Sequence, residues 1–135
     1  MAEKIFPATD EALAQVNQYV EECLEAAGCS MKNQMKIMVA LEELFINVAH
    51  YAYPAGEKGT VAIDLSFHDD VMRMTLKDSG IPFDPLAKED PDITLSAGER
   101  KIGGLGIYMV KKTMDTVSYV YENGQNILTI THRIK

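Results

Sequence analysis

The chain has 135 residues, the size of one domain, with 47% of them apolar and 24% charged. That composition is too apolar for a disordered chain, and no apolar run reaches the ~18 residues that a membrane-spanning helix needs. Thirteen Lys and Arg against 20 Asp and Glu leave a net charge of −7, the wrong balance for gripping nucleic acid or an anionic membrane surface. Met1 to Phe6 carries no charged-then-apolar leader, so a cytoplasmic protein is expected. Cys23 and Cys29, without a CxxC or a histidine ladder, read as helix-packing residues in a reducing compartment.

No repeat, low-complexity tract or Pro/Gly-rich linker divides the sequence, which predicts a single domain over 1–135. A short extended start, Lys4-Ile5-Phe6-Pro7, precedes Thr9, an N-cap candidate with Asp10 and Glu11 in the first helical turn. Leu13, Val16, Val20 and Leu24 follow at helical spacing, and Gly28 is a natural stop. Ser30 opens a longer helix to about Ala52, with Met35, Met38, Leu41, Leu44, Phe45 and Val48 as its apolar face and Pro54-Ala55-Gly56 as its end. The period then changes to two. Val61, Ile63, Leu65 and Phe67 form one strand, Val71, Met74 and Leu76 a second, and His68-Asp69-Asp70 joins them as an antiparallel hairpin. Asp78 to Gly106 is turn-rich and includes a loop of a length that commonly marks a functional lid, here at about 86–102. A helix from about Leu105 to Met114 follows. Two last strands, about 117–122 and 126–134, flank Asn123-Gly124, a strong hairpin signal. This order predicts an α/β (α+β) two-layer sandwich, with helices on one face of a mixed, mostly antiparallel sheet.

Three places carry residues suited to chemistry. Glu43 and Asn47, at i and i+4, project from one face of the second helix; they are either a pair able to share a metal ion and its waters or a solvated helix face. Asp78 ends a strand before Ser79-Gly80. It is either a turn cap or a pocket acceptor for an amino group on a flat ring, with Gly80 allowing close approach. Gly103-Gly104-Leu105-Gly106 runs into a helix start, where backbone N–H groups and the helix dipole suit an anion, although a tight turn has the same look. The glycines match neither the dinucleotide fingerprint nor the P-loop. Val61-Ala62-Ile63 is followed by Asp64 where the lysine strand of ordinary protein kinases has its lysine, and no H-R-D loop is present. His50, His68 and His132 show no ligand spacing, and His68 and His132 are expected at the surface.

The order Glu43-x-x-x-Asn47, Asp78-x-Gly80, lid, Gly104-x-Gly106 resembles the GHKL (Bergerat-fold) ATP-binding superfamily of gyrase-type topoisomerases, heat-shock chaperones, histidine kinases and mismatch-repair ATPases. Leu41-Glu42-Glu43-Leu44-Phe45-Ile46-Asn47, His50-Tyr51-Ala52-Tyr53-Pro54 and Asp78-Ser79-Gly80-Ile81-Pro82-Phe83-Asp84-Pro85 make it most similar to the anti-sigma-factor serine/threonine-protein kinases. Pro82 stands where many relatives have a glycine, a form that also looks familiar among these kinases.

The resemblance implies a role for each matching position. Asn47 would coordinate the Mg2+ on the ATP phosphates, and Glu43 would be the general base. Asp78 would accept from the adenine amino group with Gly80 making room. Gly104, Leu105 and Gly106 would wrap the phosphates, and Arg100 and Lys101 would supply positive charge there. It also implies a homodimer that binds a sigma factor and phosphorylates a serine of a small STAS-type anti-anti-sigma partner. A histidine-kinase-type ATPase and a nucleotide-gated binding module with little catalysis are the rival readings.

Overall fold

The computed structural model describes residues 2–54, 58–87 and 105–135. Strand β1 (Ala2–Pro7) leads through a 3-10 turn (Asp10–Ala12) into helix α1 (Leu13–Ala26), and α2 (Met31–Asn47) runs on into a π turn (Val48–Ala52). Then come β2 (Thr60–His68), β3 (Val71–Asp78), a short 3-10 turn (Pro85–Ala87), α3 (Leu105–Thr113), β4 (Thr116–Glu122) and β5 (Gln125–Arg133). The sheet order is β1-β2-β3-β5-β4, and every pairing is antiparallel, so no mixed sheet forms among the described residues.

Alternation sets the two faces of this sheet. Val61, Ile63 and Leu65 of β2, Met72, Met74 and Leu76 of β3, and Leu128 and Ile130 of β5 turn inward to one core. Val16, Val20 and Leu24 of α1, Ile37, Leu41, Leu44 and Phe45 of α2, and Ile107 and Val110 of α3 cover them. The helices thus lie on one face. The other face carries polar neighbours such as Thr75 and Thr129, whose hydroxyls lie 3.4 Å apart.

The helix ends follow from local chemistry. Gly28 adopts φ +80°, with its N–H bonded to Glu25 O and that of Cys29 to Leu24 O, which closes α1 in a Schellman motif. Ser30 Oγ accepts from Asn33 N (3.2 Å) and caps α2. Tyr53, extended at φ −118° and ψ 138° as a residue before proline must be, ends the π turn. Thr9 stands at the N-cap position of the 3-10 turn, but its side chain makes no capping bond.

Four sequence expectations are corrected. Met35 is exposed and lies off the buried face of α2, which Ile37, Ala40 and Leu41 share with Asn33 and Gln34. Val71 falls out of phase with Met72, Met74 and Leu76 and turns to the opposite face, half-exposed. The β2–β3 link is the two residues Asp69 and Asp70 alone, both at positive φ, because His68 pairs with Val71 inside the ladder. His132 is not a surface residue. It is 2% exposed, in phase with Leu128 and Ile130, with Nε2 3.2 Å from Asn33 Oδ1 of α2.

Candidate nucleotide site

The site forms where α2, the end of β3 and the start of β5 converge. Asp78 is in phase with the buried residues of β3, so the alternation that builds the core also turns its carboxylate inward. Its cross-strand partner is Asn126, another polar side chain at a core-facing position. Asp78 Oδ1 accepts from Asn126 Nδ2 and from Gly80 N, both at 2.9 Å. Asn126 also donates to Ile81 O (2.8 Å) and accepts at Oδ1 from Phe83 N (3.1 Å) and from the Tyr119 hydroxyl. One carboxamide thereby ties the Ser79–Phe83 loop to the sheet, and a buried network satisfied this fully is rigid. Burial pushes the Tyr119 phenol above its usual pKa, which keeps it a hydrogen-bond donor at neutral pH.

The π turn supports the same loop from the other side. Ile81 N donates to Ala52 O (2.7 Å), and Tyr53 Oη accepts from Ser79 N (3.0 Å) while donating to Thr60 O (2.6 Å). A Cβ at Gly80 would fall 2.0 Å from Ala52 O, so close packing on the π turn already requires glycine there. The Tyr51 and Phe83 rings lie 5.6 Å apart across the loop.

Between these walls is a cavity lined by Leu44, Val48, Leu76 and Leu128, with Asn47, Asp78, Asn126 and Tyr119 as its polar groups. An apolar slot with a few placed polar atoms suits a flat heteroaromatic ring. Asn47 Nδ2 donates to Glu43 O (2.7 Å), which holds the carboxamide against its own helix and leaves Oδ1 as the acceptor. One turn earlier, Glu43 reaches the first turn of α3, where a Cβ at Gly106 would fall 1.9 Å from Glu43 Oε2.

Glu43, Asn47, Asp78, Gly80 and Gly106 therefore lie along one continuous path from the cavity to the start of α3. Leu105 begins α3, and its side chain lies outside the described residues, as do Arg100, Lys101, Gly103, Gly104 and the expected lid beyond Ala87. His50 is an exposed partner of Asp10 (2.8 Å), and His68 is exposed beside Asp69. Asn126 and Tyr119 were not expected at the site from sequence, and Phe83 entered only as part of the Asp78–Pro85 motif. The available signal was a polar residue in phase with Leu128, Ile130 and Ile134 in the last strand.

Residues 6–132 match the family described as Histidine kinase-like ATPase domain. The chain belongs to this family. Among its relatives, the serine-protein kinase RsbW of Listeria monocytogenes serovar 1/2a is 23% identical over 126 residues, covering 90% of this chain and 80% of that protein. The protein of the same name from Halalkalibacterium halodurans is 27% identical over 126 residues, covering 90% and 76%. The serine/threonine-protein kinase BtrW of Bordetella bronchiseptica is 22% identical over 102 residues, covering 76% and 72%. In three dimensions the chain is similar to the RsbU and RsbW domains of Rv1364c from Mycobacterium tuberculosis, with a TM-score of 0.65 and 19% identity over 99% of this chain; it spans 33% of that one. The histidine kinase domain of a blue-light activated kinase from Erythrobacter litoralis gives a TM-score of 0.57 at 16% identity, covering 94% of this chain and 64% of that one. The fold is that of the histidine-kinase-like ATPases.

Proposed function

We propose that this protein is an ATP- and Mg2+-dependent serine/threonine protein kinase of the anti-sigma type, transferring the γ-phosphate to a serine of a small STAS-type anti-anti-sigma protein. The observation that carries this reading is the path from an apolar slot with a buried carboxylate to a second carboxylate seated at a helix start, in a chain of this family. Asp78 accepts from the adenine amino group with Oδ2, because its bonds within the fold converge on Oδ1. Asn126 and Tyr119 position that carboxylate. The first turn of α3, with Gly106 and the preceding Gly104 and Leu105, presents backbone N–H groups to the phosphates. Arg100, Lys101 and a lid at 86–102 complete the enclosure of a single ATP-binding unit.

The donor set fits a metal carried by the nucleotide. No group of three His, Cys, Asp or Glu gathers among the described residues, and phosphate-bound Mg2+ needs only one or two protein oxygens, here Asn47 Oδ1. When bound, the ion neutralises charge on the phosphate oxygens. Glu43 takes the proton of the acceptor serine as its Oγ forms the new bond to the γ-phosphorus and the bond to the ADP oxygen breaks. The kinase works as a homodimer in the cytoplasm that also binds a sigma factor, and phosphorylation of the anti-anti-sigma protein switches between the two partners.

The test is transfer of labelled γ-phosphate to the STAS-domain protein of the same organism, with wild type and Glu43→Ala. Loss of a general base lowers transfer by about 10²–10⁴-fold. If Glu43→Ala leaves partner release unchanged and the wild type transfers little phosphate, the protein is instead a nucleotide-gated binding module. ATP loss without any serine acceptor would mark a histidine-kinase-type ATPase.

A further inference from the structure

Met31, Met35, Val39, Glu43 and Asn47 succeed one another at intervals of four along α2, which places them on a single ridge. The last two belong to the candidate site. The first three are large apolar side chains left in solvent, at 71%, 63% and 56% exposure. Beside this ridge runs α3, antiparallel to it, with Gly106 against Glu43 and Thr113 near Met35 and Lys36. The groove between the helices is walled by Met35, Lys36 and Val39 on one side and Met109, Val110 and Thr113 on the other. Met109 is itself 45% exposed.

An open apolar groove of this kind on a small domain marks an interaction surface. Its methionines are adaptable side chains suited to packing against another protein. The groove is continuous with the candidate site. At 1.5 Å rise per residue, Val39 lies ~6 Å and Met31 ~18 Å along the helix from Glu43. Its α2 side is basic although the chain is acidic overall: Lys36 lines the groove, and Lys32 lies one turn before it on the same helix. A second copy docked on the same patch by two-fold symmetry would bring one lysine-bearing groove against another, which disfavours that occupant.

We propose that the α2–α3 groove is the docking surface for the phosphate-accepting protein, which seats an apolar ridge flanked by carboxylates there and so delivers its serine to Glu43. This rests on the kinase reading above. It adds where the substrate protein is held and by what chemistry.

The experiment uses the full chain with methyl-labelled methionines, titrated with the STAS-domain protein of the same organism in Mg-ADP, followed by phosphotransfer kinetics. The methyl signals of Met31, Met35 and Met109 shift on titration, while those of the core residues Met72 and Met74 stay in place. Val39→Glu and Met35→Glu, both at exposed positions that tolerate charge, raise the KM for the acceptor at least tenfold. They leave kcat at saturation within about twofold and the Mg-ADP thermal shift unchanged. Lys36→Glu raises the same KM, more at low salt than at high. Transfer with an unchanged acceptor KM in both glutamate variants overturns the groove while the kinase reading stands. Groove methyl signals that move on dilution of the kinase alone overturn it in favour of a second copy. Nucleotide binding with no transfer to the STAS protein removes the kinase reading and the docking proposal together.

Discussion

Two glycines of the site separate stability from activity. At Gly80 an added methyl would meet the Ala52 carbonyl 2.0 Å away, and that oxygen is fixed by its bond to Ile81 N. Backbone on both sides leaves nothing to swing clear, so Gly80→Ala destabilises by about 1–3 kcal/mol, read as a midpoint shift in urea unfolding at unchanged slope. At Gly106 the methyl would meet Glu43 Oε2, the far end of a flexible side chain that can rotate away. Gly106→Ala therefore leaves the urea midpoint nearly where it was and lowers phosphotransfer by displacing the carboxylate. The pair is best measured together, because equal losses of stability in both variants would contradict the placement of Glu43 at the start of α3.

Elements were legible where the local code is strong. The Asn123-Gly124 turn, with φ of 54° and 77°, lies where that dipeptide predicts it, and the strand parity that buries Met74 and Leu76 also turns Asp78 inward. Periodicity is overridden where tertiary context sets which residues are buried. Met35 is apolar, yet Asn33 and Gln34 occupy the buried face of α2 in its stead, and one reason lies across the core in His132. Polar residues at inward positions of β5 mean partners on another element, and one sequence does not show which. His132 joins β5 to α2 through Asn33, with Nδ1 unpartnered and 3.6 Å from Asp115 Oδ2. Burial lowers its pKa below the usual 6.5; Asp115 opposes that shift, and Lys36 and Arg133 reinforce it. The unfolded chain therefore binds a proton here at a higher pH than the folded one does, and stability must rise with pH across that interval. This contribution is intact above about pH 7.5 and is lost as pH falls below the ordinary histidine pKa of ~6.5, levelling off below the folded value. His132→Gln flattens that part of the curve, as urea midpoints between pH 5 and 8 will show; an unchanged slope would place the proton elsewhere.

At the scale of the whole molecule, the candidate nucleotide cavity draws its walls from α2, its π turn, β3, β4 and β5. Its polar centre was only half legible, because Asp78 stands in a local motif while Asn126 joins it across 48 residues. A ligand seated there contacts both layers of the sandwich and binds the folded state alone, so occupancy must appear as global stability. Mg-ATP at 100 times its dissociation constant adds about 2.7 kcal/mol, a rise of several degrees in Tm. Asp78→Asn keeps an acceptor oxygen for Gly80 N and changes little in volume, but it replaces the second carboxylate oxygen, the proposed acceptor for the adenine amine, with an amide donor. The ATP-dependent rise should then shrink by half or more while the ligand-free Tm moves far less, because the Asn126 network stays largely paired. Differential scanning fluorimetry of both proteins across an ATP series decides this. Equal rises in wild type and variant would mean that ATP is held without Asp78, and the cavity between α2 and β3 would no longer be the adenine site.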